Sequence, residues 1–174
     1  MRILFVTDIV APFWLEFADA VAKESGIAFR IAAAKRSVEG RGAHWQIPEC
    51  ELSHQFVYEE TEALEAWMEN VFGIVQPDVV MLGGVLEKFA RVAIDIAKSK
   101  RLRIGIFAEQ PSPATPLMSL LKRQYYKARL RKICPDFVLA VGDRAFDYYS
   151  QLLPGNSHVA MMPYYQNLEP ALQV

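Results

Sequence analysis

The sequence contains few of the residues that staple small domains or hold metal ions through fixed motifs. It has two cysteines, Cys50 and Cys134, and three histidines. The cysteines form neither a C-x-x-C pair nor a zinc-ligand spacing, which argues against a disulfide scaffold and a cysteine-based metal site. The histidines (His44, His54 and His158) form no metal motif, and we interpret them as surface or hydrogen-bonded side chains rather than ligands.

Long apolar runs, a large net charge and phosphate-binding loops are also absent. No apolar run reaches the ~18 residues of a membrane span, and the N-terminus leads directly into a strand-like run rather than a signal peptide. The 19 Lys and Arg residues balance 20 Asp and Glu residues, which argues against a general nucleic-acid binder. Neither G-x-G-x-x-G nor G-x-x-x-x-G-K-[ST] occurs, which argues against a dinucleotide or P-loop site. We therefore expect one cytoplasmic domain in these 174 residues.

What the sequence does contain is a regular alternation of strand-like and helix-like segments. Short continuous apolar runs predict buried strands, and apolar residues at i, i+3 and i+4 predict helices. The predicted strands are residues 3–7, 27–33, 55–58, 78–82, 102–107, 137–141 and 158–162; the predicted helices are residues 13–25, 64–75, 86–97, 117–132 and 143–152. This order predicts a single Rossmann-like α/β domain with a parallel sheet of six to seven strands and helices on both faces.

Helix caps and connecting segments complete the predicted organisation. Thr61 marks the predicted N-cap region of the second helix, and Asp143 is the predicted N-cap of the last one. Residues 34–53 have weak periodicity and are predicted to form a loop. Residues 1–163 make up the predicted domain, and residues 164–174 resemble a linker or tail.

Ligands of open parallel sheets bind beyond the carboxyl ends of the strands, so the residues at those ends are candidates for a site. Asp8 either orients a ligand hydroxyl, caps the next helix or accepts hydrogen bonds from loop amides. Gly83-Gly84 either let backbone approach a ligand or form a turn with positive φ. Glu109 either binds a sugar hydroxyl or a partner's cation, or pins its own loop. The further candidates at this edge are Pro12, Phe13, Gln110, Gly142, Asp143 and Tyr164.

Charge is distributed unevenly along the chain. Residues 43–86 contain no Lys or Arg but several acids, whereas residues 111–132 contain no Asp or Glu. The cations of the predicted helix 117–132 are Lys122, Arg123, Lys127, Arg129, Arg131 and Lys132. We expect Leu117, Leu120, Leu121 and Tyr125 to pack on the sheet while the cations face outward. Such a helix is either a solvated face or a contact with anionic lipid or a phosphate-bearing acceptor, for which Lys122, Arg123, Lys127 and Arg131 are the candidates.

Several segments together resemble the N-terminal domain of GT-B glycosyltransferases. They are "MRILFVTDIVAPFW", "PDVVMLGG" and "RIGIFAEQP", and the block from "LLKRQYYKARL" to "HVAMMPYYQN" resembles the end of that domain in glycosyltransferase family 4. The resemblance implies that Asp8, Pro12 and Phe13 match the loop near the acceptor. It also implies that Gly142 and Asp143 line the cleft and that Pro163-Tyr164 enter the interdomain linker.

The resemblance further implies a division of labour between two domains. In the family a second domain binds the nucleotide-sugar, and no such domain fits in these residues. We therefore expect the acceptor-binding part of a retaining-type transferase, inactive alone, with no cofactor in this domain and the donor bound by the second one. The expected partners are a sugar or lipid-linked acceptor, the donor-binding domain and the inner face of a membrane, with no nucleic acid. A stand-alone α/β binding module, or the acceptor subunit of a split transferase, is the alternative.

Overall fold

The computed structural model describes residues 1–35, 55–59, 62–85, 87–109, 116–153 and 157–163. The strands are β1 (Arg2–Ile9), β2 (Ala28–Lys35), β3 (Gln55–Val57), β4 (Val79–Leu82), β5 (Arg103–Ala108), β6 (Phe137–Val141) and β7 (His158–Met162). The helices are α1 (Pro12–Ser25), α2 (Leu64–Val75), α3 (Lys88–Ser99), α4 (Pro116–Ile133) and α5 (Asp143–Leu152).

All strands described form one parallel sheet in the order β3-β2-β1-β4-β5-β6-β7. The predicted Rossmann-like α/β class, with its alternating elements, is confirmed. The chain runs outward from β1 to β3, then returns to the other side of β1 with β4. The direction of strand addition therefore reverses between β1 and β4, and this is the point at which open α/β sheets bind ligands.

The two faces of the sheet are covered unequally by the helices described. Alternate side chains of each strand point to opposite faces. On one face Phe5, Phe29 and Met81 pack with Trp14 and Leu15 of α1. On the other face the buried residues of α2, α3, α4 and α5 form one continuous core over β1, β4, β5 and β6. The helices on both faces were predicted, and their uneven distribution was not.

The amino edge of the sheet contains the same connection twice. α2 is followed by Gln76 and α4 by Cys134, both with positive φ (46° and 53°), and each of these residues is followed by Pro and Asp. The Asp78 carboxylate accepts the backbone N–H of Arg2 at 2.7 Å, while the Asp78 N–H donates to the Arg2 carbonyl at 2.9 Å. Asp136 makes the same pair of bonds with Ile104, at 2.7 and 2.8 Å. Each aspartate thus ties the start of its own strand to a neighbouring strand.

Some details at the ends of the predicted elements are wrong. α2 begins after Ala63, with no side-chain cap, and Thr61 lies outside the described residues. The N-cap of α5 is Gly142 rather than Asp143, because its φ of 78° suits a residue without a Cβ. Asp143 is instead the first helical residue, where its negative charge favours the helix N-terminus. Most of the predicted loop, residues 36–53, lies outside the described residues, while residues 34–35 extend β2.

The expected packing of α4 is wrong for its N-terminal half. Leu117, Leu120, Leu121 and Tyr125 are 53–68% exposed instead of packing on the sheet. The helix is held to the core by its C-terminal half, where Leu130 and Ile133 are fully buried. The apolar residues of α4 therefore point in two directions, a pattern that a single amphipathic stripe does not predict.

Candidate functional site

The candidate site lies at the carboxyl edge of the sheet, where the strand order reverses. Asp8 stands near the end of β1, Gly83 and Gly84 follow β4, and Glu87 immediately precedes α3. Asp8, Gly84 and Glu87 line the same small cleft. The structure therefore brings two carboxylates from separate elements together at the position where this fold binds ligands.

Lack of space for a side chain, rather than backbone conformation, explains why positions 83 and 84 are glycine. Neither has the positive φ of the predicted turn. A Cβ on Gly83 would lie 2.8 Å from the ring of buried Phe5, and a Cβ on Gly84 would lie 2.7 Å from Oε2 of Glu87. Gly84 therefore lets the Glu87 carboxylate approach the backbone at the mouth of the cleft.

Asp8 is not the N-cap residue of the following helix. That position is Ala11, whose own side chain makes no capping bond. The pKa of Asp8 is raised, first because partial burial removes water from its carboxylate and next because the Glu87 carboxylate repels it; Lys35 opposes this shift. An aspartate whose charged form is disfavoured by its surroundings is a candidate for ligand contact.

A larger cavity of about 190 Å³ adjoins this cleft. It lies between the ends of β4 and β5 and the helices α4 and α5. Its lining residues are Gly83, Gly84, Val85, Glu87, Ile106, Ala108, Glu109, Tyr126, Leu130 and Tyr149. Arg129 of α4 donates from Nε to the Val85 carbonyl at 2.9 Å, which ties the loop after β4 to the helix above the cavity.

Two tyrosines supply neutral hydroxyl groups to this cavity. Burial strongly raises the pKa of Tyr149, and the nearby Tyr126 and Tyr148 add to the shift. The pKa of Tyr126 is raised by burial and then by the Glu87 carboxylate. Tyr149 donates its hydroxyl to the Glu109 carbonyl at 3.3 Å, which fixes the end of β5 against α5. Both phenols remain protonated at neutral pH. Tyr126 can donate to a ligand, whereas Tyr149 already donates its proton to the Glu109 carbonyl and offers its oxygen as an acceptor.

The chemistry of the lining suits a neutral, hydroxyl-rich ligand. Carboxylates accept hydrogen bonds from sugar hydroxyls, phenols donate or accept them, and the glycines allow close approach. Among the residues described, no group of three or more His, Cys, Asp or Glu side chains could hold a metal ion. The volume of the cavity is on the scale of one sugar ring rather than a whole dinucleotide.

The structure brings together only some of the predicted site residues. Asp8 lies in the cleft, Gly83 and Glu109 line the cavity, and Gly84 lines both. Gly142 and Asp143 lie at the start of α5, outside both linings; the Gly142 N–H instead donates to the Met162 carbonyl. α1 begins at Pro12, but the side chains of Pro12 and Phe13 lie outside the described set, as do Gln110 and Tyr164.

The sequence analysis did not identify the three polar side chains Glu87, Tyr126 and Tyr149 of the cavity. Glu87 follows Gly83 by four residues, and this short spacing from a strand end is a signal that could have identified it. Tyr126 and Tyr149 are recognisable only from tertiary structure, because each belongs to a helix that packs beside the strand ends.

None of the four candidate cations of α4 lines the cavity. Arg123 donates from a terminal nitrogen to the Gln151 side chain at 2.8 Å, which links α4 to α5. Lys122 and Arg131 are exposed and Lys127 is half-buried. Within the described part of the chain, these three cations have no ion-pair partner. None of the helices described has both the length and the apolar composition needed to cross a membrane.

Comparison with solved structures gives the same fold. The match to UDP-N-acetylglucosamine 2-epimerase from Rickettsia bellii covers 91% of this chain and 44% of the epimerase chain, with 11% sequence identity and a TM-score of 0.50. The match to UDP-GlcNAc 2-epimerase from Neisseria meningitidis, solved with UDP-GlcNAc bound, covers 92% of this chain and 46% of the epimerase chain. The sequence identity is 13% and the TM-score is 0.54. This likeness shows the Rossmann-like fold alone, and the chain spans less than half the length of either enzyme.

No protein-family model matches the chain, and no curated protein matches it. The expected relation to glycosyltransferase family 4 and the domain limit at residue 163 therefore stay predictions. The fold itself is common to many sugar-nucleotide enzymes and non-enzymes, so a function must be argued from the site.

Proposed function

We propose that this chain is the acceptor-binding part of a sugar-nucleotide-dependent transferase, with the carboxyl-edge cavity as the acceptor subsite. The observation that carries the proposal is the combination of Glu87, Glu109 and two protonated phenols around a cavity of about 190 Å³ at the strand-order reversal. These groups recognise hydroxyls without needing a metal or a phosphate loop. The nucleotide-sugar is expected to bind in a second domain.

Polar and apolar residues have different roles in this proposal. Glu87, beside the crowded backbone at Gly84, accepts a hydrogen bond from an acceptor hydroxyl. Asp8, which lines the adjoining cleft rather than the cavity, orients a hydroxyl that reaches past Glu87. Tyr126 donates from the α4 side. Ile106 and Leu130 supply the apolar wall on which the less polar face of a sugar ring packs. Catalysis would require the donor-binding domain to close over this edge and exclude water.

A second candidate is one half of a sugar-nucleotide epimerase. The observation in its favour is the fold likeness to two UDP-GlcNAc 2-epimerases, each about twice as long as the matched part. In this candidate the cavity would receive the sugar of the nucleotide-sugar itself rather than a separate acceptor. The two candidates therefore differ in whether a free glycoside or a UDP-sugar binds this chain.

Saturation-transfer NMR on the full chain distinguishes these candidates. Methyl glycosides should give transfer signals, whereas UDP and UDP-GlcNAc should give none at the same concentration. Glu87→Gln should weaken glycoside binding about tenfold, because a hydrogen bond to a charged group is lost. Glu65→Gln, an identical change on the exposed first turn of α2, is the matched control and should leave binding unchanged.

The outcomes separate three functions. Binding of glycosides that depends on Glu87 supports the acceptor subsite. Binding of UDP-GlcNAc through the same residues favours the epimerase half. Absence of both signals, in a chain whose circular dichroism matches the fold, would instead favour a stand-alone binding module.

A further inference from the structure

The N-terminal half of α4 presents an apolar surface to solvent. Its members are Leu117, Met118, Leu120, Leu121 and Tyr125, which are 49–68% exposed. Leu117, Leu121 and Tyr125 follow one another at a spacing of four residues, so they form one row along the helix. We define these five side chains as the α4 apolar face. An exposed apolar patch of this kind marks a contact with something other than water.

Cations border this face on both sides. At 3.6 residues per turn, Lys122 lies beside Met118 and Tyr125, whereas Lys127 and Arg131 lie on the same side of the helix as Leu120, about two and three turns further along. The helix contains no Asp or Glu from residue 116 to residue 133. Lys and Arg side chains next to an apolar helix face can extend toward lipid headgroups while the apolar groups enter the interface.

From this arrangement we infer that the α4 apolar face docks on an anionic lipid surface, with Leu117, Leu121 and Tyr125 entering the interface and Lys122, Lys127 and Arg131 contacting lipid phosphates. Charge complementarity favours this occupant over a second copy, because pairing two α4 faces would bring two sets of unpaired cations together. The acidic helix α2 offers little to dock against, since Ile74 is the one large apolar side chain described as exposed on it.

The orientation of α4 supports the inference independently of charge. Tyr126, Leu130 and Ile133 on the opposite side of the helix are half-buried or buried and hold it to the domain. The apolar face is therefore free to enter lipid without unfolding α4. The inference does not depend on sugar binding, because none of the five apolar side chains lines the cavity.

The test is co-sedimentation of the full chain with sucrose-loaded vesicles. Vesicles with about 30% phosphatidylglycerol should bind the protein, whereas pure phosphatidylcholine vesicles should not, because each cation contributes about fivefold to binding at an anionic surface. Leu117→Ser with Leu121→Ser should reduce binding at least tenfold, since buried apolar area is lost. Lys122→Gln with Lys127→Gln should reduce it about 25-fold.

Matched controls exclude a nonspecific effect of the changes. Ile74→Ser removes an equally exposed apolar side chain from α2, and Lys23→Gln with Lys100→Gln removes the same charge from α1 and the end of α3. Both control proteins should bind the anionic vesicles as the parent does. Circular dichroism should be unchanged in every variant, and urea unfolding should change by less than about 1 kcal/mol, since the altered side chains are exposed except for half-buried Lys127 and since Lys100 makes only a surface ion pair with Glu69.

Three results would overturn the inference. They are no binding to anionic vesicles, binding that the two leucine changes leave unaltered, and binding that the control variants lose equally. Sedimentation velocity without lipid provides the remaining distinction: self-association that is lost in the leucine variant, together with no vesicle binding, would assign the α4 face to a second copy of the chain.

Discussion

The two edges of the sheet use carboxylates in opposite ways. At the amino edge, Asp78 and Asp136 each accept a backbone N–H from a neighbouring strand at 2.7 Å. This bond, with the nearby Arg2, lowers the pKa of Asp78. At the carboxyl edge, the pKa of Asp8 is raised by burial and by Glu87. The amino edge thus favours the charged form of Asp78, whereas the carboxyl edge disfavours the charged form of Asp8.

The polarity of a parallel sheet explains the difference. The first residues of parallel strands present unpaired N–H groups at the amino edge, and these donors suit carboxylates. The last residues present carbonyl oxygens, which accept hydrogen bonds and offer a carboxylate nothing. Acids retained at the carboxyl edge are therefore costly to the fold, and such sites are the usual location of function.

The strongest test of this contrast is Asp136→Ala. Removing a carboxylate that accepts the Ile104 N–H leaves a strand donor without its partner, and this should lower the free energy of unfolding by about 2 kcal/mol. Urea denaturation at neutral pH measures the change. Asp147→Ala, on the exposed side of α5, is the control and should change stability by less than about 0.5 kcal/mol. An equal loss in both variants would remove any special role of the amino edge.

Asp78→Asn should have a smaller effect, because the amide oxygen can still accept the Arg2 N–H. The main change should be in pH dependence. The folded-state pKa of Asp78 is lowered, so its stabilisation is present above the ordinary value of 3.8 and is lost as pH falls through the lowered pKa. Urea unfolding on both sides of that range should show a weaker acid loss in the variant than in the parent. Identical pH profiles would contradict the assignment.

Asp8→Asn should move stability in the opposite direction. Because the folded-state pKa of Asp8 is raised, the folded protein binds this proton more tightly than the unfolded chain does. The charged form thus costs stability once pH rises above the raised pKa. The variant should be more stable at neutral pH by less than about 1 kcal/mol, since the side chain is partly solvated, and should match the parent below 3.8. A destabilised variant at neutral pH would show that Asp8 has a structural role.

Gly84→Ala should have the smallest effect on stability and a clear effect on the site. The new Cβ would meet the flexible end of Glu87 at 2.7 Å, so the carboxylate can move aside at a cost of less than about 0.5 kcal/mol. The displaced carboxylate should weaken the glycoside signal in saturation-transfer NMR. Gly83→Ala, which meets the Phe5 ring instead, is the contrasting variant and should destabilise the fold by about 1–3 kcal/mol.

Element order was predictable because it depends on local patterns. Buried strands such as Val79–Leu82 are continuous apolar runs, and α2 repeats its buried residues at helical spacing. Helix ends were less predictable, since Asp143 is a favourable cap by residue type. Gly142 takes that position because the chain leaves β6 with a φ of 78°.

The sequence of α4 does not predict that its apolar side chains point in two directions. Leu117 and Leu130 belong to the same residue type, yet the first is 68% exposed and the second is fully buried. Helical spacing identifies which residues share a face, but the position of the helix over the sheet decides which face is covered. The N-terminal half of α4 contributes none of the buried residues in the core that covers this face of the sheet.

The sequence by itself determined the α/β class, the strand and helix order, and the edge of the sheet on which Asp8, Gly83, Gly84 and Glu109 lie, because periodicity and strand polarity are local properties of the chain. Tertiary structure alone decided that Glu87, Tyr126 and Tyr149 join Gly83, Gly84 and Glu109 around one cavity, with Asp8 in the adjoining cleft, and that α4 presents leucines to solvent. These outcomes depend on how helices that are distant in sequence pack against the strand ends. No single segment of the sequence specifies that packing.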